Sequence, residues 1–292
     1  MRTLALPLLA ACLVGCASHR AHQGDAPDVV LVTDYGTKDF YVGALHGAIA
    51  SVCSRARVHD ATHEVTSFDI EEGAYTLSRM TGLWPAGTIF VVIVDPGVGT
   101  SRRGIALRTK AGRVYVGPDN GLFTFVMDRE GIDTARELSD KRWWRTGVLS
   151  ATFHGRDVFG PVAGHLAAGT RFEDLGPEAR DLVRLPIEAA KVEGGAIHAQ
   201  VVHIDTYGNV STNAMAEMLA SIGAKEGDVL EADLGGKKAV FPWGATYGAV
   251  PKGSPVLVID SDGGVELAIN MGNLGQAQGL AVGTVVTLRI RR

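Results

Sequence analysis

Three cysteines in 292 residues are too few for a disulfide framework or a four-thiolate zinc site. Basic residues are not in excess either: 28 Lys and Arg stand against 32 Asp and Glu, a formal net charge of -4. That balance excludes a dedicated nucleic-acid binder, whose affinity comes from neutralising phosphates. No apolar run reaches the roughly 20 residues that a membrane-spanning helix needs. The chain has no GxxxxGK[ST] phosphate loop and no HExxH metal motif, and Gly97-Val98-Gly99 is not followed by the third glycine of a dinucleotide loop. What is present is ordinary for a globular protein, with 46% hydrophobic and 21% charged residues. A chain of this length suits two domains with cores of their own.

One segment stands apart from the fold. Arg2 precedes an apolar run from Leu4 to Val14, which fits the hydrophobic region of an export signal. Leu13-Val14-Gly15-Cys16 resembles a bacterial lipobox, which implies lipidation of Cys16, loss of residues 1–15 and anchoring of the mature protein to a membrane of the cell envelope. Residues 16–27 then read as a flexible tether. Cys12 is discarded with the signal and Cys53 reads as a core thiol.

From residue 28 to residue 187 the pattern is alternating. Residues 29–33 (VVLVT) read as a buried strand, and the apolar spacing from Lys38 to Val52 as a helix. Ala56 to Val58 can form a strand. Thr66 with Asp69 suggests a capping box for an acidic-started helix that ends before Trp84-Pro85. Thr88 to Val94 (TIFVVIV) is the most hydrophobic strand, and Val158 to Ala168 reads as helical. Such alternation predicts an α/β domain with a mostly parallel sheet. Residues 196–292 instead carry short alternating runs at Ile197–Ile204, Asp228–Leu234, Lys238–Trp243, Val256–Ile259, Val265–Ile269 and Val282–Ile290, separated by glycine turns, with one helical stretch near Met215 to Ile222. This half predicts a small antiparallel β-barrel.

Asp34 and Asp95 each follow a core strand directly and sit in glycine-rich loops. In a parallel sheet such loops line the ligand crevice, so both carboxylates are candidates for one site. Arg102 lies on the same excursion as Asp95. His154, at a loop-to-helix junction beside Gly155, is placed for proton work. His59-Asp60 and His63-Glu64 are a looser metal-ligand possibility. The residues alone leave open an enzyme, a nucleoside-binding lipoprotein without chemistry, and a metal-dependent hydrolase using the His59 to Glu64 segment.

VTDYGTKDFYVGALHGAI, TSFDIEEGAY, VVIVDPGVGTSRR, VGPDNGL, TFHGRDVFGPVAGHLAAG, IDTYGNVSTN and LAINMGN occur in that order. Together they resemble the S-adenosyl-L-methionine hydroxide adenosyltransferases, hydrolytic relatives of the fluorinating and chlorinating enzymes, over nearly the whole chain from Val29. The resemblance implies hydrolysis of S-adenosyl-L-methionine to adenosine and L-methionine at the ribose C5′, without metal or cofactor. It also implies a homotrimer whose active sites lie between subunits. Its water-activating residues fall on Asp95, Arg102 and His154, and its ribose-diol carboxylate on Asp34. Asp205 and Asn209 fall on positions contacting the methionine and adenine ends, Ser261 near the methionine carboxylate, and Phe68 on an aromatic position beside the substrate. The halogenating relatives have tyrosine at the position of Asp95 and serine at that of Gly155. A carboxylate there repels a halide, so the hydroxide branch is implied. Asp262 departs from the pattern, standing where the halogenating enzymes carry a basic residue.

Overall fold

A computed structural model of the chain describes residues 27–291. The expected export signal, Cys16 and the tether as far as residue 26 lie outside them. Among the described residues no helix is long and apolar enough to cross a membrane.

The first domain runs β1 (Asp28–Thr33), α1 (Tyr41–Val52), β2 (Arg57–Thr62), α2 (Ile70–Thr81), β3 (Ile89–Ile93), β4 (Gly104–Thr109), β5 (Val114–Pro118), α3 (Thr124–Glu130), β6 (Ile132–Glu137) and α4 (Gly160–Ala167). The strands form one sheet in the order β2-β1-β3-β5-β4-β6. β2, β1, β3 and β5 are parallel, and β4 runs against both its neighbours. Helices cover both faces. Val29 and Leu31 of β1 pack with Leu45, Ile49 and Val162 of α1 and α4, whereas Val30 and Val32 pack with Leu77 and Val126 of α2 and α3. Two-sided burial is why these strands read as continuous apolar runs rather than alternating ones.

The second domain runs β7 (Lys191–Glu193), β8 (Ala196–Ile204), β9 (Val210–Met215), α5 (Ala216–Ser221), β10 (Val229–Leu234), β11 (Lys237–Pro242), β12 (Pro255–Ile259), β13 (Gly264–Ile269), α6 (Leu274–Gln278) and β14 (Val285–Ile290). Its antiparallel sheet has the order β11-β10-β14-β8-β9-β13-β12, with β7 paired on β8. The two ends of the sheet meet where Gly244 N–H donates to the Leu257 carbonyl at 3.0 Å. The sheet is therefore a nearly closed barrel around Leu230, Phe241, Leu257, Leu267 and Leu288. The mostly parallel sheet and the antiparallel barrel are the architecture expected from the sequence.

Local details differ from the sequence reading. The first helix begins at Tyr41, because residues 37–40 form the loop that carries Phe40 outward. The cap of α2 is Asp69 rather than Thr66: Asp69 accepts from Glu72 N–H at 2.9 Å, and the Glu72 carboxylate reaches back to Thr66 N–H at 3.1 Å. The expected Val158 helix starts earlier, as a π-helical turn over Gly155–Phe159. Cys53 is a free, buried thiol.

The domains are clamped by charge and by stacking. Asp262, on the turn between β12 and β13, accepts from Arg79 of α2 at 2.8 Å and Arg129 of α3 at 3.1 Å, and Arg79 also lies 3.3 Å from Asp260. Nearby, the Tyr75 ring stacks on His203, with centroids 4.6 Å apart. The acidic departure at Asp262 thus has a structural occupation in this chain.

Candidate active site

Parallel register brings the two strand-end carboxylates side by side. Thr33 of β1 is level with Ile93 of β3, and Asp34 N–H donates to the Ile93 carbonyl at 3.3 Å. Asp34 and Asp95 therefore leave the same end of the sheet on neighbouring strands. Both line a cavity of about 690 Å³ together with Tyr35, Phe40, Tyr41, Phe68, Phe153, His154 and Gly155.

His154 reaches this point because two loops dock on each other. Gly99, in the loop after Asp95, has φ 77° and packs so closely on the other loop that a Cβ there would overlap the Ala151 carbonyl oxygen. Behind that contact, Asp157 fastens the His154 loop. It is completely buried and accepts from Arg145 Nε and Arg156 Nε, each at 2.7 Å, and from Ser150 N–H, also at 2.7 Å. Burial opposes its charge, yet the hydrogen bonds from Arg156, Ser150 and Arg145 bring its pKa down to about 2.

Arg102 ties the carboxylate to the imidazole. Its Nε donates to Asp95 Oδ1 at 3.0 Å and its Nη2 to Asp95 Oδ2 at 2.5 Å. Nη2 also donates to His154 Nδ1 at 3.2 Å, and Nη1 to the Arg103 carbonyl at 3.0 Å. The Arg102 and Asp95 side chains are 8% and 6% exposed, so the pair is held away from water. Arginine can only donate, so Nδ1 of His154 must be an acceptor and the neutral ring carries its proton on Nε2. Burial, aided by the Arg102 charge, lowers the His154 pKa and keeps the ring neutral. Burial raises the pKa of Asp95 despite Arg102, and that of Asp34 despite a hydrogen bond from Phe68 N–H at 2.9 Å. Arg102 itself borders a second, smaller cavity of about 290 Å³ behind His154 and is not among the residues lining the larger one. Arg102 is thus placed to hold Asp95 and His154 to each other.

Phe68 sits at the cavity rim, 70% exposed and at a left-handed φ of 71°. Asp205 and Asn209 lie elsewhere, in the barrel. Asp205 Oδ1 accepts from Tyr207 and Asn209 N–H, and Oδ2 from Asn209 Nδ2 at 2.9 Å, a closed turn after β8. Both residues line a different cavity of about 800 Å³ with Tyr207, Tyr247, Asn270 and Met271. Ser261 is exposed between Asp260 and Asp262 and lines neither cavity. The His59 to Glu64 segment is divided: His59 turns to Asp28 at 2.8 Å, whereas His46 and His63 meet Asp60 Oδ1 at 2.7 and 3.1 Å, and His63 Nδ1 meets Thr33 Oγ1 at 2.8 Å. Among the described residues no His, Cys, Asp and Glu group is arranged to hold a metal ion.

Several residues of the site carried little signal in the sequence. Tyr35 adjoins Asp34, and that adjacency is its only mark. Arg145 and Ser150 act through long-range hydrogen bonds to Asp157 that no spacing rule encodes.

Residues 29–176 match the family model described as SAM hydroxide adenosyltransferase N-terminal domain, and residues 199–287 the corresponding C-terminal domain. The chain is 37% identical to the (R)-S-adenosyl-L-methionine hydrolase of Salinispora tropica over 263 residues, 88% of this chain and 95% of that protein. It is 30% identical to a fluorinase of an Actinoplanes species, over 90% of this chain and 97% of the relative. An uncharacterised conserved protein from Thermotoga maritima has the same fold, with a TM-score of 0.86 at 33% identity, covering 89% of this chain and 99% of that one.

Proposed function

The chain belongs to the SAM hydroxide adenosyltransferase family, and from that membership we propose that it hydrolyses S-adenosyl-L-methionine to adenosine and L-methionine by attack of water at the ribose C5′. The observation that carries this reading is the hydrogen-bonded Asp95–Arg102–His154 constellation, set beside Asp34 at one end of the parallel sheet. The Salinispora relative is named for the (R) sulfonium epimer, and we take that epimer as the preferred substrate here.

The leaving group of a sulfonium departs as a neutral thioether, so no general acid is required. The difficulty is the nucleophile, since free water has a pKa near 15.7. Asp95 is the group suited to take the proton. Its two oxygens retain lone pairs beyond those given to Arg102, and burial makes it a stronger base than an exposed carboxylate. His154, with its proton on Nε2, donates to the water and orients it. Arg102 holds both groups in register. Asp34 can accept both hydroxyls of the ribose diol. A cationic substrate also suits a cavity floored by carboxylates.

Completion of the site by a neighbouring subunit in a homotrimer is supported by the separation of the two cavities within one chain. It is further supported by the exposed Phe40, Phe68, Tyr207 and Met271 along their rims. Lipid anchoring through Cys16 rests on the lipobox resemblance, and a Cys16→Ala chain that still partitioned with detergent-extracted membranes would oppose it.

The test is product analysis by chromatography with each sulfonium epimer in the presence of chelator. Adenosine and methionine in equal amounts are expected, faster from the (R) epimer. Folded trimer that binds adenosine but releases no product would favour the nucleoside-binding reading instead.

A further inference from the structure

Tyr35 follows the ribose-diol candidate Asp34 and enters the same cavity as Asp95 and His154. Its ring is held by neighbours on two sides, with the Tyr41 centroid at 5.7 Å and that of Phe153 at 6.0 Å. Its hydroxyl makes no hydrogen bond within the described residues. That oxygen stands where a side chain at Gly155 would begin: a Cβ built on Gly155 overlaps the Tyr35 hydroxyl and lies 3.3 Å from its Cζ and 3.1 Å from Ile93 Cδ1. Gly155 is not in a left-handed conformation, so the backbone does not demand glycine there. The demand comes from the tyrosine.

We propose that the Tyr35 hydroxyl, admitted by the missing side chain at Gly155, is a further positioning group for the attacking water, and that Tyr35 and Gly155 together set the size of the nucleophile end of the cavity. This rests on the hydrolytic reading above. A phenol there can accept from the water while Asp95 takes the other proton, which fixes the oxygen along the line to C5′. The hydroxyl remains protonated, because burial and the neighbouring Asp34 and Asp95 charges push its pKa up. It therefore orients the water without competing with Asp95 for the proton. The position is coupled to the machinery by the chain itself, since Gly155 follows His154 directly and begins the π-helical turn.

The geometry makes an unusual demand on double substitutions. Gly155→Ala places a methyl against the hydroxyl of a ring flanked by Tyr41 and Phe153. Tyr35→Phe removes that oxygen, leaving contacts of 3.1 and 3.3 Å that a shift of a few tenths of an ångström relieves. Expected for Tyr35→Phe is a kcat about tenfold lower with an unchanged KM, the scale of one neutral hydrogen bond. Gly155→Ala should lose far more, and Tyr35→Phe/Gly155→Ala should recover to near the Tyr35→Phe level. Wild-type kcat in Tyr35→Phe, or a double variant no better than Gly155→Ala, would overturn the proposal. Adenosine affinity, measured by calorimetry on the same four proteins, reads the packing without turnover: Gly155→Ala should weaken it and the double variant restore it. If the wild type itself makes no adenosine, the hydrolytic reading fails, and the calorimetric cycle still decides whether Tyr35 and Gly155 are coupled.

Discussion

A side chain at Gly99 would collide with the carbonyl oxygen of Ala151. This contact joins the loop of Asp95 and Arg102 to the loop of His154. Gly99→Ala would both strain a left-handed backbone and push the loops apart. Turnover should fall by about 10²-fold, the effect of misplacing a catalytic group by roughly an ångström. Circular dichroism should stay native, and full activity would show that the docking is not needed.

Asp95→Asn keeps the shape but removes the base. A kcat loss of roughly 10²–10⁴-fold is expected, the usual contribution of positioned base catalysis. Calorimetry should find adenosine still bound with little change, since Asp34 rather than Asp95 is the proposed ribose contact.

The pH dependence of kcat should show an acid limb. Asp95 must be ionised to accept a proton, and burial raises its pKa above 3.8, so activity falls as pH drops through that raised value. The His154 pKa is lowered from 6.5, so its protonation adds nothing to the loss above that pH. A limb below 6.5 that survived Asp95→Asn would assign the titrating group to His154, whose pKa lies on that side of its ordinary value.

Asp157 carries a stability prediction. Its pKa falls from 3.8 to about 2 on folding, so its contribution is present above pH 3.8 and lost as pH falls toward 2. The shift corresponds to about 2 kcal/mol. Asp157→Asn leaves the partly exposed Arg145 and Arg156 without their anion and should cost about 2 kcal/mol at neutral pH, read as a lower denaturation midpoint. The deficit relative to wild type should shrink near pH 2.

Asp262→Ala should leave KM for S-adenosyl-L-methionine unchanged, because its carboxylate is engaged by Arg79 and Arg129. The pairs are partly exposed, so each contributes only about 0–1 kcal/mol, and the melting temperature should fall by a few degrees at most. A large rise in KM would return Asp262 to the substrate.

How much the sequence disclosed depended on how each residue does its work. β1 and β3 were legible because burial on both faces leaves uninterrupted apolar runs, and Asp34 and Asp95 were legible as carboxylates placed just past the ends of those strands. β9 (Val210–Met215) was not, because Ser211 and Thr212 are buried polar residues that break the pattern, with the Thr212 hydroxyl satisfied by the Val265 carbonyl at 2.9 Å. The site triad came from ordered motifs rather than periodicity. Its wiring could not: that Arg102 gives one nitrogen to both Asp95 and His154 is a property of two loops docking, and no spacing between residues 95, 102 and 154 encodes it.

Because Asp95 and Asn209 line different cavities of one chain, the proposed trimer gives the gene an uncommon property. An allele spoiled at Asp95 and another spoiled at Asn209 would each give inactive protein alone. Co-expressed, they would assemble mixed particles in which an intact first domain of one product meets an intact barrel of the other, and activity would return by intragenic complementation.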